Sequence, residues 1–144
     1  DDLVRMGWVF LTAREKGTPL FFSRPAGSTR ENYWGNNLIG ARGNDEFKHP
    51  EVVAVNKFRR AMAGQPEVIK VSDNGAVIKV GRGHEGAVII NISSDVQEMD
   101  LPTTLADGVY VDEVHKKEFK VSDSHITGSL EPLTSYIILK KQAY

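Results

Sequence analysis

The sequence predicts a chain in two parts: an α/β piece (helix, strand, helix) over residues 1–66, then an all-β antiparallel sandwich or barrel over residues 67–144. Three observations carry this reading. The run Gly17-Thr18-Pro19-Leu20-Phe21-Phe22-Ser23-Arg24-Pro25 is one short apolar strand between two segments of helical apolar spacing. Gly64-Gln65-Pro66 breaks the second of those segments. From Glu67 onward the apolar period becomes two, with turn residues recurring roughly every 8–12 positions.

Residues 2–16 form the first predicted helix. Leu3, Val4, Met6, Val9, Phe10, Leu11 and Ala13 cover most of its circumference, so heavy burial is expected. Lys16 suits the negative end of the helix dipole, and Gly17 suits a left-handed residue just beyond it. Pro19 fits the start of a strand over 18–24, where no ladder donor is missed. Residues 26–49 read as loop, punctuated by Gly27, Asn32, Gly35, Asn36, Asn37, Gly40, Gly43 and Asn44; about two dozen loop residues are unusual unless functional or disordered. Pro50 opens a second helix reaching about Met62, with Val52, Val55, Phe58 and Met62 as its buried stripe.

Strands are then predicted over 67–71, 76–82, 86–91, 96–100, 108–112, 118–121, 125–130 and 135–140. Asp73-Asn74-Gly75, Gly83-His84-Glu85-Gly86, Ser93-Ser94-Asp95, Ala106-Asp107-Gly108 and Ser122-Asp123-Ser124 mark turns between them. The second part holds enough residues for its own core. The first does not: a parallel strand needs neighbours on both edges, and the residues before it supply none. The chain is therefore expected to be the tail of a larger protein.

Composition narrows the function classes. The 144 residues carry 18 basic and 19 acidic side chains, a net charge of −1, and no basic stripe, so nucleic acid is not an expected partner. No apolar run approaches a membrane span, and no membrane partner is expected. The absence of cysteine excludes disulfides, thiolate nucleophiles and cysteine metal sites.

Most motif-like features have a plain reading. Gly81-Arg82-Gly83-His84-Glu85-Gly86 has phosphate-loop spacing, but a strand follows it where the mechanism needs a helix N-terminus, so it is read as a hairpin connection. His49, His84, His115 and His125 are scattered without metal-ligand spacing. Asp107, Asp112 and Glu113 fall at turns and are read as solvated carboxylates. Asn44-Asp45-Glu46 lacks the ligand spacing of a calcium loop. Asn91-Ile92-Ser93 is a formal glycosylation sequon at a strand end.

The long loop is the suggestive cluster. Arg24, Arg30, Asn32, Tyr33, Trp34, Asn36, Asn37 and Arg42 combine aromatic faces with amide and guanidinium donors, the equipment of a sugar site. The loop also follows the carboxyl end of a strand, where α/β folds place their sites. Tyr33, Trp34 and Arg42 are the candidate substrate-binding residues. The alternative is a plain surface loop with Trp34 packed beneath it.

The Gly-Thr-Pro strand, Gly40-Ala41-Arg42-Gly43, and the helix Val53-Ala54-Val55-Asn56-Lys57-Phe58-Arg59-Arg60-Ala61-Met62-Ala63-Gly64-Gln65-Pro66 together resemble the C-terminal portion of bacterial α-amylases of the Bacillus subtilis type, in the retaining α-glucan hydrolase family 13. The likeness spans the chain and is strongest over 17–66. It implies the last helix, strand and helix of a (β/α)8 barrel over 1–66, the slice of a catalytic domain, and a C-terminal Greek-key sandwich over 67–144. It further implies a secreted enzyme that cleaves internal α-1,4-glucosidic bonds of starch-like glucans with retention. The family's catalytic carboxylates and calcium ligands match nothing here and belong upstream. No catalytic residue, metal site or cofactor is therefore assigned to this chain, and the fragment is expected to be inactive alone. Its implied partners are the remainder of the barrel and, in the full-length enzyme, an α-glucan. Self-association of the isolated fragment is also expected. The competing reading is a non-catalytic carbohydrate-binding or structural β-sandwich module.

Overall fold

The computed structural model describes residues 2–35 and 39–140. Helix α1 (Asp2–Ala13) leads through an irregular segment and loop to a single 3-10 turn (Glu46–Lys48) and helix α2 (Pro50–Ala61). Eight strands follow: β1 (Glu67–Val71), β2 (Val77–Arg82), β3 (Gly86–Asn91), β4 (Gln97–Pro102), β5 (Gly108–Val111), β6 (Glu118–Ser122), β7 (His125–Leu130) and β8 (Thr134–Leu139). They form two antiparallel four-stranded sheets, ordered β1-β2-β3-β8 and β4-β7-β6-β5. The fold is mostly β, and of the two readings, sandwich and barrel, it is the sandwich.

Strand alternation builds the core between the sheets. Ala87 and Ile89 of β3 and Tyr136 and Ile138 of β8 face Leu101, Phe119, Ile126 and Leu130 of the second sheet. Phe119 and Tyr136 meet edge-on at 5.2 Å between ring centroids. Gly128 makes this packing close: a Cβ there would lie 2.5 Å from the Phe119 ring.

The other face of the first sheet is equally apolar. Val80, Val88 and Ile137 lie in register across β2, β3 and β8, and with Ile90 they form a stripe under the helices. Met6, Val9 and Ala13 of α1 and Val55, Phe58 and Met62 of α2 cover it. All six β3 residues are thus buried. Gly86 permits the approach, because a Cβ would lie 2.8 Å from both the Ile138 carbonyl oxygen and the Phe58 ring.

Two expectations need correction. Helix α1 ends at Ala13 rather than residue 16, and only Met6, Val9, Thr12 and Ala13 are buried. Its opposite side stays open, with Leu3 at 70% and Leu11 at 57% exposure. Residues 18–24 form no strand. They carry no regular secondary structure and are anchored by an edge-on contact of Phe21 with Trp8 and by an isolated bridge between Pro25 and Gly43. The physical reason is that a parallel strand exists only through its ladder, and no other described strand runs beside this segment.

Candidate functional site

The long loop closes on itself at its neck. Besides the Pro25–Gly43 bridge, the Asn44 amide donates to the Arg24 carbonyl at 2.8 Å. Gly43 is required there, since a Cβ would lie 2.6 Å from the Ser23 carbonyl oxygen. Within the loop, Asn32 organises a turn. Its backbone carbonyl accepts from Thr29 and Gly35, and its side-chain amide donates to the Gly35 carbonyl at 2.9 Å. Gly35, at φ +57°, folds back against Ala26 and Gly27. This turn presents Tyr33 and Trp34 outward, at 69% and 64% exposure. Trp34 is therefore not packed beneath the loop.

Arg42 sits nearer the neck and is engaged differently. Its guanidinium donates to the Asp45 carboxylate at 2.6 Å, and Lys48 donates to the other oxygen at 3.2 Å. The Lys48 hydrogen bond, with the charges of Arg42 and Lys48, holds the Asp45 pKa below its ordinary value. Asp45 is thus committed to two cations. Asn36 and Asn37 lie outside the described residues. Among the described residues, no three histidine or acidic side chains converge as metal ligands would.

The other motifs found structural employment. The glycine-rich run 81–86 joins β2 to β3 as a hairpin. Asn91 is fully buried, and its amide donates to the Asp95 and Glu131 carbonyls, so the sequon lies inside a turn. Asp112, expected in solvent, is fully buried and accepts from the Ile137 amide at 2.7 Å and from the His115 amide. His115 in turn reaches across to α2, with Nε2 3.4 Å from Glu51 and 3.1 Å from the Ser135 carbonyl.

Residues that weld helices to sandwich escaped the sequence reading. Arg82, 2% exposed, donates to the carbonyls of Ala13 (3.0 Å), Met62 (2.9 Å) and Gln65 (2.9 Å). It thereby satisfies the orphan ends of both helices. Arg59 donates to the Thr12, Arg14 and Gly17 carbonyls. Arg14 grips Glu67 through both carboxylate oxygens, and that bond keeps the Glu67 pKa low. The available signal was two arginines within a turn of predicted helix ends and one at a strand end.

Two helices packed on the outer face of an eight-stranded antiparallel sandwich, with a closed aromatic loop between the helices, define the class of fold. No protein-family model matches the chain. It is 42% identical over 137 residues to an α-amylase of Butyrivibrio fibrisolvens, covering 91% of this chain and 14% of that protein. It is 35% identical over 136 residues to an α-amylase of Clostridium acetobutylicum, covering 94% of this chain and 16% of that protein. Among solved structures, α-amylase I of Eisenia fetida in complex with maltohexaose shares the fold: TM-score 0.69, 16% identity, covering 98% of this chain and 36% of that one. The chain is thus similar to these α-amylases along nearly its whole length, consistent with a C-terminal fragment of one. It spans about one seventh of the length of the curated relatives it matches.

Proposed function

We propose that this chain completes the catalytic (β/α)8 barrel of a secreted α-amylase and caps it with a Greek-key sandwich. Residues 1–66 supply the last helix, strand and helix; residues 67–144 supply the C-terminal domain. The parent enzyme hydrolyses internal α-1,4-glucosidic bonds with retention: one carboxylate attacks the anomeric carbon, while a second donates and then recovers a proton from about 5 Å away. Those carboxylates, and the calcium ligands expected of the enzyme, are assigned to no residue of this chain. Tyr33 and Trp34 border the sugar cleft, offering flat faces to glucose rings. Arg42 fixes the neck of their loop through Asp45.

The observation that carries this reading is the 42% identity to an α-amylase across nearly the whole chain. Three features support it. Residues 18–24, an apolar run of strand composition, have no ladder partners among the described residues. Leu3, Leu11, Leu20 and Phe22 are exposed, as suits residues that pack against further barrel elements. The order β4-β7-β6-β5 sets the consecutively paired strands β5, β6 and β7 beside the preceding strand β4, an arrangement that supports the proposed Greek key. The binding-module reading is not favoured, because Phe119 and Tyr136 are buried in the core and the Tyr110 hydroxyl is turned to the Ala106 carbonyl.

The test uses a chimera in which this chain replaces the matching segment of the Butyrivibrio fibrisolvens α-amylase. Trp34→Ala should raise KM for soluble starch severalfold at an unchanged melting temperature. Unchanged kinetics would remove Trp34 from the cleft. The purified chain alone should show no turnover of soluble starch.

A further inference from the structure

Lys79 on β2 is 2% exposed, yet it has neither a hydrogen bond nor an ion pair among the described residues. Its cross-strand partner in the β1–β2 register is Lys70, so two ammonium-bearing side chains lie directly opposite each other. Like charges so placed repel, and a buried ammonium without a counter-charge is costly. Together with the repulsion from Lys70, burial lowers the Lys79 pKa to about 8.

The side chain is not sealed in apolar core. Lys79 lines a pocket of about 90 Å³ with Val68, Lys70, Gly81, Pro102, Thr103 and Thr104. Gly81 borders this space, and a Cβ there would lie 3.4 Å from Lys79 Nζ, which places the ammonium at the pocket wall. No carboxylate is among the lining residues. Thr103 Oγ1 accepts from the Leu105 amide at 3.2 Å and so retains its own proton for another acceptor.

We propose that this pocket binds a small oxyanion, with Lys79 and Lys70 supplying the charge and Thr103 a hydroxyl donor. The anion provides the counter-charge that the protein itself withholds from a buried ammonium. This site is separate from the aromatic loop and does not depend on the α-amylase reading.

Inorganic sulfate is the probe, because its charge is constant across the pH range used. Sulfate titrated into the full chain at fixed ionic strength should shift the Lys79 side-chain NMR resonance saturably, whereas chloride should not. Lys70→Gln should weaken binding at least several-fold, and Lys79→Met should abolish it. Lys70 on β1 and Ile89 on β3 flank Lys79 across the sheet, and His84 contacts the carbonyl of Thr104 in the pocket wall. Lys79, with its pKa lowered to about 8, loses its charge across this range, so sulfate affinity should fall more than about tenfold between pH 6.5 and 9.5. A Lys79 resonance unmoved by sulfate overturns the proposal, whether or not Lys79→Met folds. So does equal sulfate binding by wild type and a folded Lys79→Met variant.

Discussion

Removing the Arg82 guanidinium would leave the carbonyls of Ala13, Met62 and Gln65 without their donor where both helices meet β1. A buried polar group left unpaired costs about 1–3 kcal/mol, so Arg82→Met should destabilise the chain by about 3 kcal/mol or more in urea unfolding. Arg82→Lys should rescue little of that, because one ammonium cannot span three carbonyls set out for a planar fork. Glu67 gives the acid side of the same junction. Its folded pKa lies below the ordinary 4.5, so its contribution is present above that value and is lost as pH falls through the folded pKa. The urea midpoint of wild type should therefore drop more steeply below pH 4.5 than that of Arg14→Gln. Lys79 has the opposite sign. Its folded pKa of about 8 lies below the ordinary 10.5, so the penalty is full below pH 8 and disappears as pH rises toward 10.5. In buffer free of oxyanions, Lys79→Met should raise the melting temperature at pH 7 and leave it nearly unchanged above pH 10.5.

Elements were legible in the sequence where their cause is local. Turn residues at 73–75, 83–86 and 122–124 and the period-two runs between them place all eight strands to within about two residues. Pro50 starts α2 where expected, with His49 capping it by accepting the Glu51 amide at 3.2 Å. Two features were not legible, for different reasons. A strand over 18–24 is a statement about neighbours, which a run of apolar residues cannot supply. The inward placement of Lys79 was hidden because β2 is covered on both faces, so Val77, Lys79 and Gly81 alternate with Ile78 and Val80 without a polar side to orient the pattern. Covering both faces also ties the sandwich to the helices. Residues 67–144 expressed alone would expose Val80, Val88, Ile90 and Ile137, and light scattering should find that piece self-associated. Within the whole chain, Phe58→Ala should cost about 3–5 kcal/mol, since it empties the contact over Gly86.

At the scale of the molecule, the candidate site of this chain rests on Tyr33, Trp34 and Arg42. Tyr33 and Trp34 were legible as aromatic faces among polar donors, but the sequence leaves open whether Trp34 stands outward or packs beneath the loop, because that depends on how the loop folds. Arg42 was legible as a polar loop residue but not as the partner of Asp45, which depends on how the neck closes. Leu3 and Leu11 on α1 and Leu20 and Phe22 after it are exposed, and an isolated chain should associate through such apolar side chains. In the chimera with the Butyrivibrio fibrisolvens enzyme, the same surface should be covered, and the amides of residues 20–23 should exchange far more slowly than in the isolated chain. The most direct test of the account is kcat/KM of that chimera on soluble starch. Hydrolysis within roughly tenfold of the parent enzyme is expected, because the proposal places the catalytic carboxylates outside the replaced segment. A chimera that folds and melts like the parent yet hydrolyses no starch would contradict it.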